Sequence, residues 1–330
     1  MAPMKRRRPV IDYLVYLGVR VLTAIFLVFP IDENLKTARL IGWVWFHLIR
    51  RHRLRAQEHL RASYGSRLSD EQVRQIALRS MQQMVMMAME VIFTPRLVNE
   101  WTWSRYVRLG EMGPVLGDLP RGRPAILVTG HYGNWELLGY LMAKLGAPMV
   151  AVMRPLDNPY LNDYLVRMLQ RGGLQLLYKK GMSRSADQVI QDGGALCFIA
   201  DQDAGRKGLF VDFFGRQAST YKSIGLLAIH HRVPVVVGYA RRVSPRFRYA
   251  IGIARVIRPH EWHGREDELL WLTQEYTRGI EQVVREDPSQ YLWVHRRWKT
   301  RPRGEALAES AGAAPSDRAS LARGLAGSEP

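Results

Sequence analysis

Cysteine is nearly missing from this chain. Its 330 residues include one, Cys197, which excludes an internal disulfide framework and any zinc site built on thiolates. That residue lies in the apolar run Ala195-Leu-Cys-Phe-Ile199 and reads as packing. Carboxylates are also in short supply: 30 Asp and Glu face 48 Lys and Arg, a net charge of +18. The expected partners are therefore anionic, although charge alone does not choose among nucleic acid, a lipid surface and an acidic protein. There is no Cys/His finger spacing, no heptad-bearing basic region and no aromatic RNP-like strand, so nucleic acid is not the expected partner. The Ser183-Arg-Ser185 pair offers no nucleophile elbow, which argues against a covalent serine mechanism. The run from Asp201 to Asp212 lacks full EF-hand spacing and its closing Glu, so no metal is expected there. No small-x-small cleavage site precedes Pro30, which argues against a cleaved signal peptide.

What is present is the composition of a folded chain, 47% hydrophobic and 24% charged. The length suits two ordinary domains or one large α/β domain with extensions. After the basic cluster Lys5-Arg-Arg-Arg8 comes a stretch from Tyr13 to Ile31 almost free of charge. As a helix it would be about 28 Å long, close to a bilayer core. Arg20 sits inside it, at a cost of about 2.5–3.5 kcal/mol at a membrane centre, so a span and an in-plane helix both fit, beside a buried core helix. The basic flank places the adjoining side in the cytoplasm. Ala38 to Ile49, with Trp43, Trp45 and Phe46, runs into Arg50-Arg-His-Arg-Leu-Arg55, a pattern suited to an interface or to a helix packed on a domain.

Residues 52–103 read as helices, with Ser69-Asp-Glu-Gln72 as a helix start and the methionines from Met81 to Met89 as core. From Arg123 onward short apolar runs alternate with helical stretches. Strands are expected over 125–129, 149–153, 174–178, 196–200, 233–239 and 248–256, and helices over 134–145, 158–171, 185–191, 219–231 and 267–285. That alternation predicts an α/β fold, a mixed sheet flanked by helices, behind an N-terminal helical, membrane-associating region. The expected divisions are a basic N-terminus and anchor over 1–31, a helical region over 32–120, an α/β core over 121–303 and a disordered tail over 304–330.

The segment Ala125-Ile-Leu-Val-Thr-Gly-His-Tyr-Gly-Asn-Trp-Glu136 carries the chemistry. It puts His131 past the carboxyl end of a strand, where ligands bind in open α/β sheets, and Glu136 in the first turn of the next helix. Asn134 is a candidate N-cap. A carboxylate on one imidazole nitrogen leaves the other to take a proton from a hydroxyl, so His131 and Glu136 are expected as base and orienter. The bland alternative is a loop histidine beside an acid that offsets the helix dipole.

His131-Tyr-Gly-Asn-Trp-Glu136 resembles the His-x-x-x-x-Asp/Glu signature of glycerolipid-type acyltransferases, and more closely its Glu-bearing branch, the lipid A late acyltransferases. Three further segments match in order: Met153-Arg-Pro-Leu-Asp-Asn-Pro159, Ala200-Asp-Gln-Asp-Ala-Gly205 with Phe210-Val-Asp-Phe-Phe-Gly215, and Gln290-Tyr-Leu-Trp-Val-His-Arg-Arg-Trp-Lys-Thr-Arg-Pro302. The resemblance covers residues 10–303. It implies transfer of a fatty acyl group from an acyl carrier protein thioester to a hydroxyl of an anionic membrane glycolipid, at the cytoplasmic face of the cell inner membrane, with no cofactor and no metal. The alternative is an O-acyltransferase acting on a lysophospholipid, a phosphatidylinositol mannoside or another glycolipid, with acyl-CoA or acyl carrier protein as donor.

Within that resemblance, His131 and Glu136 are the catalytic pair. Arg154, Asp201, Arg167, Arg171 and Asn134 are the expected substrate-binding residues, with Asp203 a weaker candidate. Leu169 stands where the family has an arginine, between Arg167 and Arg171. Backbone N–H groups near Gly133 and Asn134 are the candidate oxyanion donors. Tyr291, Trp293, His295, Arg296, Arg297 and Trp298 read as structural, and His230, His231, His260 and His263 as surface or capping residues.

Overall fold

The computed structural model describes residues 9–110, 112, 118–178 and 182–302. The expectations for residues 5–8 and for the tail over 304–330 lie outside the described residues. Four helices come first: α1 (Pro9–Phe26), α2 (Ile31–Leu48), α3 (Arg50–Tyr64) and α4 (Asp70–Leu97). Ser69 starts α4 as its sequence implies. Its Oγ accepts from Gln72 N at 3.2 Å, and Gln72 Oε1 accepts from Ser69 N at 2.8 Å, so two orphan donors are satisfied reciprocally. Met81, Met86, Met87 and Met89 of α4 are buried in the core.

The strands are β1 (Val107–Leu109), β2 (Ala125–Thr129), β3 (Met149–Met153), β4 (Gln175–Tyr178), β5 (Ala195–Ile199), β6 (Leu209–Asp212), β7 (Gln217–Thr220), β8 (Val235–Arg242) and β9 (Tyr249–Ile257). Seven of them form one sheet in the order β1-β9-β8-β2-β5-β3-β4. Strands β8, β2, β5, β3 and β4 are parallel, while β9 runs antiparallel to β8. The apolar runs Ala-Ile-Leu-Val and Ala-Leu-Cys-Phe-Ile suit central parallel strands, which are covered on both faces. The crossover helices are α5 (Trp135–Lys144), α6 (Pro159–Gln170), α7 (Met182–Gln191) and α8 (Lys222–His231), followed by the short α9 (Pro259–Trp262) and the long α10 (Glu268–Glu286).

The two faces carry separate cores. Ile126, Val128, Leu196, Phe198, Val235 and Val237 pack with Ala186 of α7, Ala228 of α8 and Ile280 of α10. On the other face Met149 and Val236 pack with Leu137 and Leu141 of α5 and Leu169 of α6. Each such fully buried side chain stabilises the fold by about 1.5–3 kcal/mol relative to exposure. One expected element changes. The helix expected from Ser219 begins at Lys222, because Ser219 and Thr220 pair with Phe210 and Leu209 in an antiparallel hairpin. That hairpin is too short to show a period of its own.

α1 lies on the outside. Its 18 residues have a mean hydropathy of 1.6, enough by length and composition to cross a membrane, and Thr23 is its one buried residue. The buried core-helix alternative therefore does not hold.

Candidate active site

Strands β2 and β5 are neighbours in register, with Thr129 opposite Ile199 and Ala200 N donating to Thr129 O. Two residues further on, His131 and Asp201 must emerge side by side at the carboxyl edge of the sheet. They meet at Nδ1···Oδ1 2.6 Å, and the other carboxylate oxygen accepts from the His131 backbone N at 2.8 Å. Asp201 is 1% exposed. Burial alone would push its carboxyl up, but the His131 imidazole, its two hydrogen bonds and the nearby His295 outweigh that and hold it well below the usual range. An ionised carboxylate only accepts, so His131 carries its proton on Nδ1 and keeps Nε2 as the basic nitrogen. Gln202 Nε2 lies 3.4 Å from that Nε2. Trp135 meets the ring edge-on at 5.0 Å, and His295 stacks on it at 5.3 Å. Burial, together with the neighbouring His131 and Arg297, lowers the pKa of His295 and keeps it neutral, although Asp201 pulls the other way.

This arrangement corrects the expected orienter. Glu136 makes no hydrogen bond to His131; its Oε1 accepts from the Trp135 indole at 3.1 Å. The helix started by Asn134 turns Glu136 toward the interior of the α5 face, whereas strand pairing delivers Asp201 directly to the imidazole. Burial raises the Glu136 pKa against the smaller pull of Trp135 and His131. Glu136 is nonetheless only partly shielded by neighbouring atoms, because it borders an internal cavity.

The loop that carries His131 is clamped from several sides. Gly133 has φ +60°, and a Cβ there would stand 1.8 Å from Ala240 O. A Cβ on Gly130 would come within 2.8 Å of Ile280 and 3.2 Å of Asp201 Oδ2, so glycine admits the carboxylate. Leu292 N donates to His131 O at 3.0 Å. Asn134 is fully buried, and both ends of its amide are engaged: Oδ1 accepts from Leu137 N and Nδ2 donates to Glu90 Oε2, each at 2.9 Å. Glu90 in turn pairs with Arg242 at 2.7 Å. Asn134 thus caps α5 on a buried ion pair, and its amide is turned to these partners. The oxyanion donors suggested by sequence are engaged as well, since Gly133 N donates to Gln290 O and Asn134 N to Ala240 O.

Between the sheet and helices α5 and α6 lies an apolar cavity of about 130 Å³. Alternation along the strands supplies its floor, with Leu127 and Thr129 from β2, Ala151 from β3, Leu176 from β4, Cys197 from β5 and Gly238 from β8. Trp135 and Glu136 line it on the side of His131, whose ring Trp135 meets. Burial pushes the Cys197 thiol up to about 12, so this cysteine lines the wall as a neutral group.

The other expected residues separate into two places. Arg154 follows β3 at the same sheet edge, where it is exposed and bonds to Asp157 at 3.3 Å. Arg167 and Arg171 do not join it. They lie at the C-terminal end of α6 and line a pocket against α1. Asp203 holds Thr300, accepting from its N and Oγ1 at 3.2 and 2.9 Å. His295 and Gln202 stand against the His131 ring, and Arg297 is structural, as its segment implies. Arg297 is 1% exposed and donates to Ser219 O and Thr220 Oγ1 at 2.6 Å and to Gln202 O at 3.3 Å, fixing the segment after Asp201. The segment Gln290 to Pro302 carries His295 and Arg297, and Ala200 to Gly205 carries Gln202. His231 also differs from expectation: its Nε2 meets Asp187 at 2.8 Å.

Comparison with known proteins gives this geometry a family. The chain is 30% identical over 188 residues to the lipid A biosynthesis palmitoleoyltransferase of Escherichia coli (strain K12), covering 56% of this chain and 59% of that protein, so the match spans under two thirds of that relative's length. It is 25% identical over 297 residues to a lipid A biosynthesis acyltransferase of Haemophilus influenzae (strain ATCC 51907 / DSM 11121 / KW20 / Rd), covering 88% and 91%. A phosphatidylinositol mannoside acyltransferase of Mycolicibacterium smegmatis (strain ATCC 700084 / mc(2)155) matches at 30% over 118 residues, covering 33% and 39%. The family model for bacterial lipid A biosynthesis acyltransferases matches residues 2–300, and the chain belongs to that acyltransferase family.

Proposed function

We propose that this protein transfers a fatty acyl chain from an acyl carrier protein thioester to a hydroxyl of a lipid A precursor or a similar anionic glycolipid, with His131 as general base. The observation that carries this reading is the 2.6 Å bond from His131 Nδ1 to Asp201, beside an apolar cavity lined on that side by Trp135 and Glu136. Nε2 takes the proton of the acceptor hydroxyl as its oxygen attacks the thioester carbonyl. The tetrahedral intermediate collapses, the carbon–sulfur bond breaks, and Nε2 returns the proton to the leaving thiolate. The new bond is an ester and the released carrier is a thiol. The apolar cavity holds the acyl chain, and Glu136, which borders that cavity and whose neutral form burial favours, is the donor this reading assigns to the developing oxyanion.

The net charge of +18 suits both an acidic carrier protein and an anionic lipid. α1 and α2 supply an apolar skin, with Leu14, Leu22, Leu40, Trp43 and Leu48 each more than 45% exposed. Exposed apolar area on this scale is a membrane-facing surface, and the reading places it at the cytoplasmic face of the inner membrane. The likeness to a phosphatidylinositol mannoside acyltransferase favours a second acceptor class, another phosphorylated glycolipid. The test offers purified full-length protein acyl carrier thioesters and acyl-CoAs against lipid A precursor, phosphatidylinositol mannoside and lysophospholipid. Transfer to lipid A precursor from the carrier thioester is expected. Transfer to lysophospholipid alone would overturn the acceptor class.

A further inference from the structure

Arg20 is the residue that interrupts the apolar character of α1, and the structure gives it a location. It lines a pocket between α1, the end of α4 and α6, together with Arg96, Arg167 and Arg171. These four guanidinium groups face a single carboxylate on the pocket wall, that of Asp163, which leaves a local excess of three positive charges. Among the described residues none of the four arginines forms an ion pair. Arg20 is held in place by aromatic neighbours: its Nη1 donates to Tyr16 Oη at 2.8 Å, and its guanidinium lies 5.1 Å from the Tyr164 ring centre. Arg96 donates to Leu27 O at 3.2 Å, which keeps it at the helix crossing.

The pocket is open to solvent, with all four arginines exposed. Its outer wall is a helix that exposes Leu14, Val21, Leu22 and Ile25, so the cations lie beside an apolar surface suited to a membrane. The N-terminal part of α1 is tied to the core, since Asn158 Nδ2 donates to Asp12 O at 2.8 Å and Tyr13 packs edge-on against Tyr160 at 5.3 Å. Two walls of side chains, with a narrow gap between them, separate this pocket from the cavity. Pro95 and Met168 border both the basic pocket and a narrow gap, and Glu136 and Leu169 border both that gap and the apolar cavity.

We propose that Arg20, Arg96, Arg167 and Arg171 form a binding site for a phosphate group on a membrane lipid, and that α1 is a wall of this site as well as an anchor. The inference deepens the proposed function and rests on that reading for one point, that the phosphorylated lipid held at the arginines is the acceptor. Arginine forks match phosphate oxygens, and a desolvated headgroup region strengthens each contact.

The test compares binding of full-length protein to phosphatidylcholine vesicles with and without phosphatidate, with inorganic phosphate in solution as a separate arm. Wild-type protein is expected to bind the phosphatidate vesicles more tightly. Arg167→Gln/Arg171→Gln should lose about tenfold of that gain per arginine. Arg20→Gln separates a site from an anchor. Removing a charge from an apolar helix makes membrane insertion easier, so a pure anchor would bind all vesicles better, whereas a phosphate site loses affinity only where phosphatidate is present. If inorganic phosphate raises the melting temperature of wild type but not of Arg167→Gln/Arg171→Gln, the site takes phosphate from either source and the proposal stands. Equal binding by all variants to both vesicles would overturn it. His131→Ala should bind vesicles like wild type, so a failure of acyl transfer is read separately from a failure of this site. With turnover in hand, the double variant should raise KM about tenfold or more for a phosphorylated acceptor, with kcat within about twofold and a dephosphorylated acceptor unaffected.

Discussion

His131 and Asp201 are 70 residues apart in the chain and 2.6 Å apart in space, joined by side chain and backbone of one residue to both oxygens of the other. The two bonds fix the ring plane and the tautomer together. His131→Ala should lower acyl transfer by about 10²-fold or more, the scale of lost general-base catalysis. Asp201→Asn keeps the shape and loses the charge, and should cost about 10²–10⁴-fold in kcat by favouring the wrong tautomer. Steady-state rates on carrier thioester check both, and an Asp201→Asn enzyme with unchanged kcat would remove Asp201 from the mechanism.

Asp201 and Glu136 are expected to titrate with opposite effects on stability. The Asp201 pKa is depressed in the fold, so its contribution is present above the ordinary aspartate range and lost as pH falls through the folded value. The Glu136 pKa is raised, so the stability it lends is present below its ordinary value of 4.5 and lost as pH rises through the folded value. Glu136→Gln should therefore melt with wild type in acid and above it at neutral pH. Melting curves across pH would show this, and a constant offset would contradict it.

The same substitution tests a role in catalysis. If a neutral Glu136 donates to the oxyanion, Glu136→Gln keeps a donor and should retain more kcat than Glu136→Ala, which should lose about 10²–10³-fold. Equal losses in the two variants would point to a need for the charge instead.

Gly133 combines φ +60° with a Cβ position 1.8 Å from Ala240 O. Gly133→Ala should destabilise the protein by more than about 2 kcal/mol, from left-handed strain and displaced backbone. Denaturant unfolding measures it. A variant that unfolds like wild type would mean that the loop is not clamped against β8.

Ala151 on β3 and Gly139 on α5 border the cavity, and a Cβ on Gly139 would meet only ordinary contacts from Leu174. Ala151→Met and Gly139→Leu should shift donor preference toward shorter acyl chains, with a difference of about 1–3 kcal/mol between neighbouring lengths. Competition between thioesters of two lengths reads this out. An unchanged ratio would show that the chain lies elsewhere.

Much of the sheet could be read along the chain, because each central strand is an apolar run bounded by turn residues and the crossover helices α5 and α6 have their own Asn caps. Ser69, Asn134 and Asn158 mark helix starts that the structure keeps. The position of His131 beyond β2 was legible for the same reason. The hairpin over Leu209–Thr220 was not, since four-residue strands carry too little periodicity to compete with an adjoining helix.

The sequence by itself determined the local elements, the excess of arginine, the apolar first helix and the histidine at a strand end, because each depends on residues within a few positions of one another. Tertiary structure decided which acid meets that histidine, which nitrogen is left basic, and where Arg20, Arg167 and Arg171 gather. Strand order sets β5 beside β2, and the packing of α1 on α6 sets the arginines together. Both are contacts between distant segments, and neither leaves a spacing that the linear chain records.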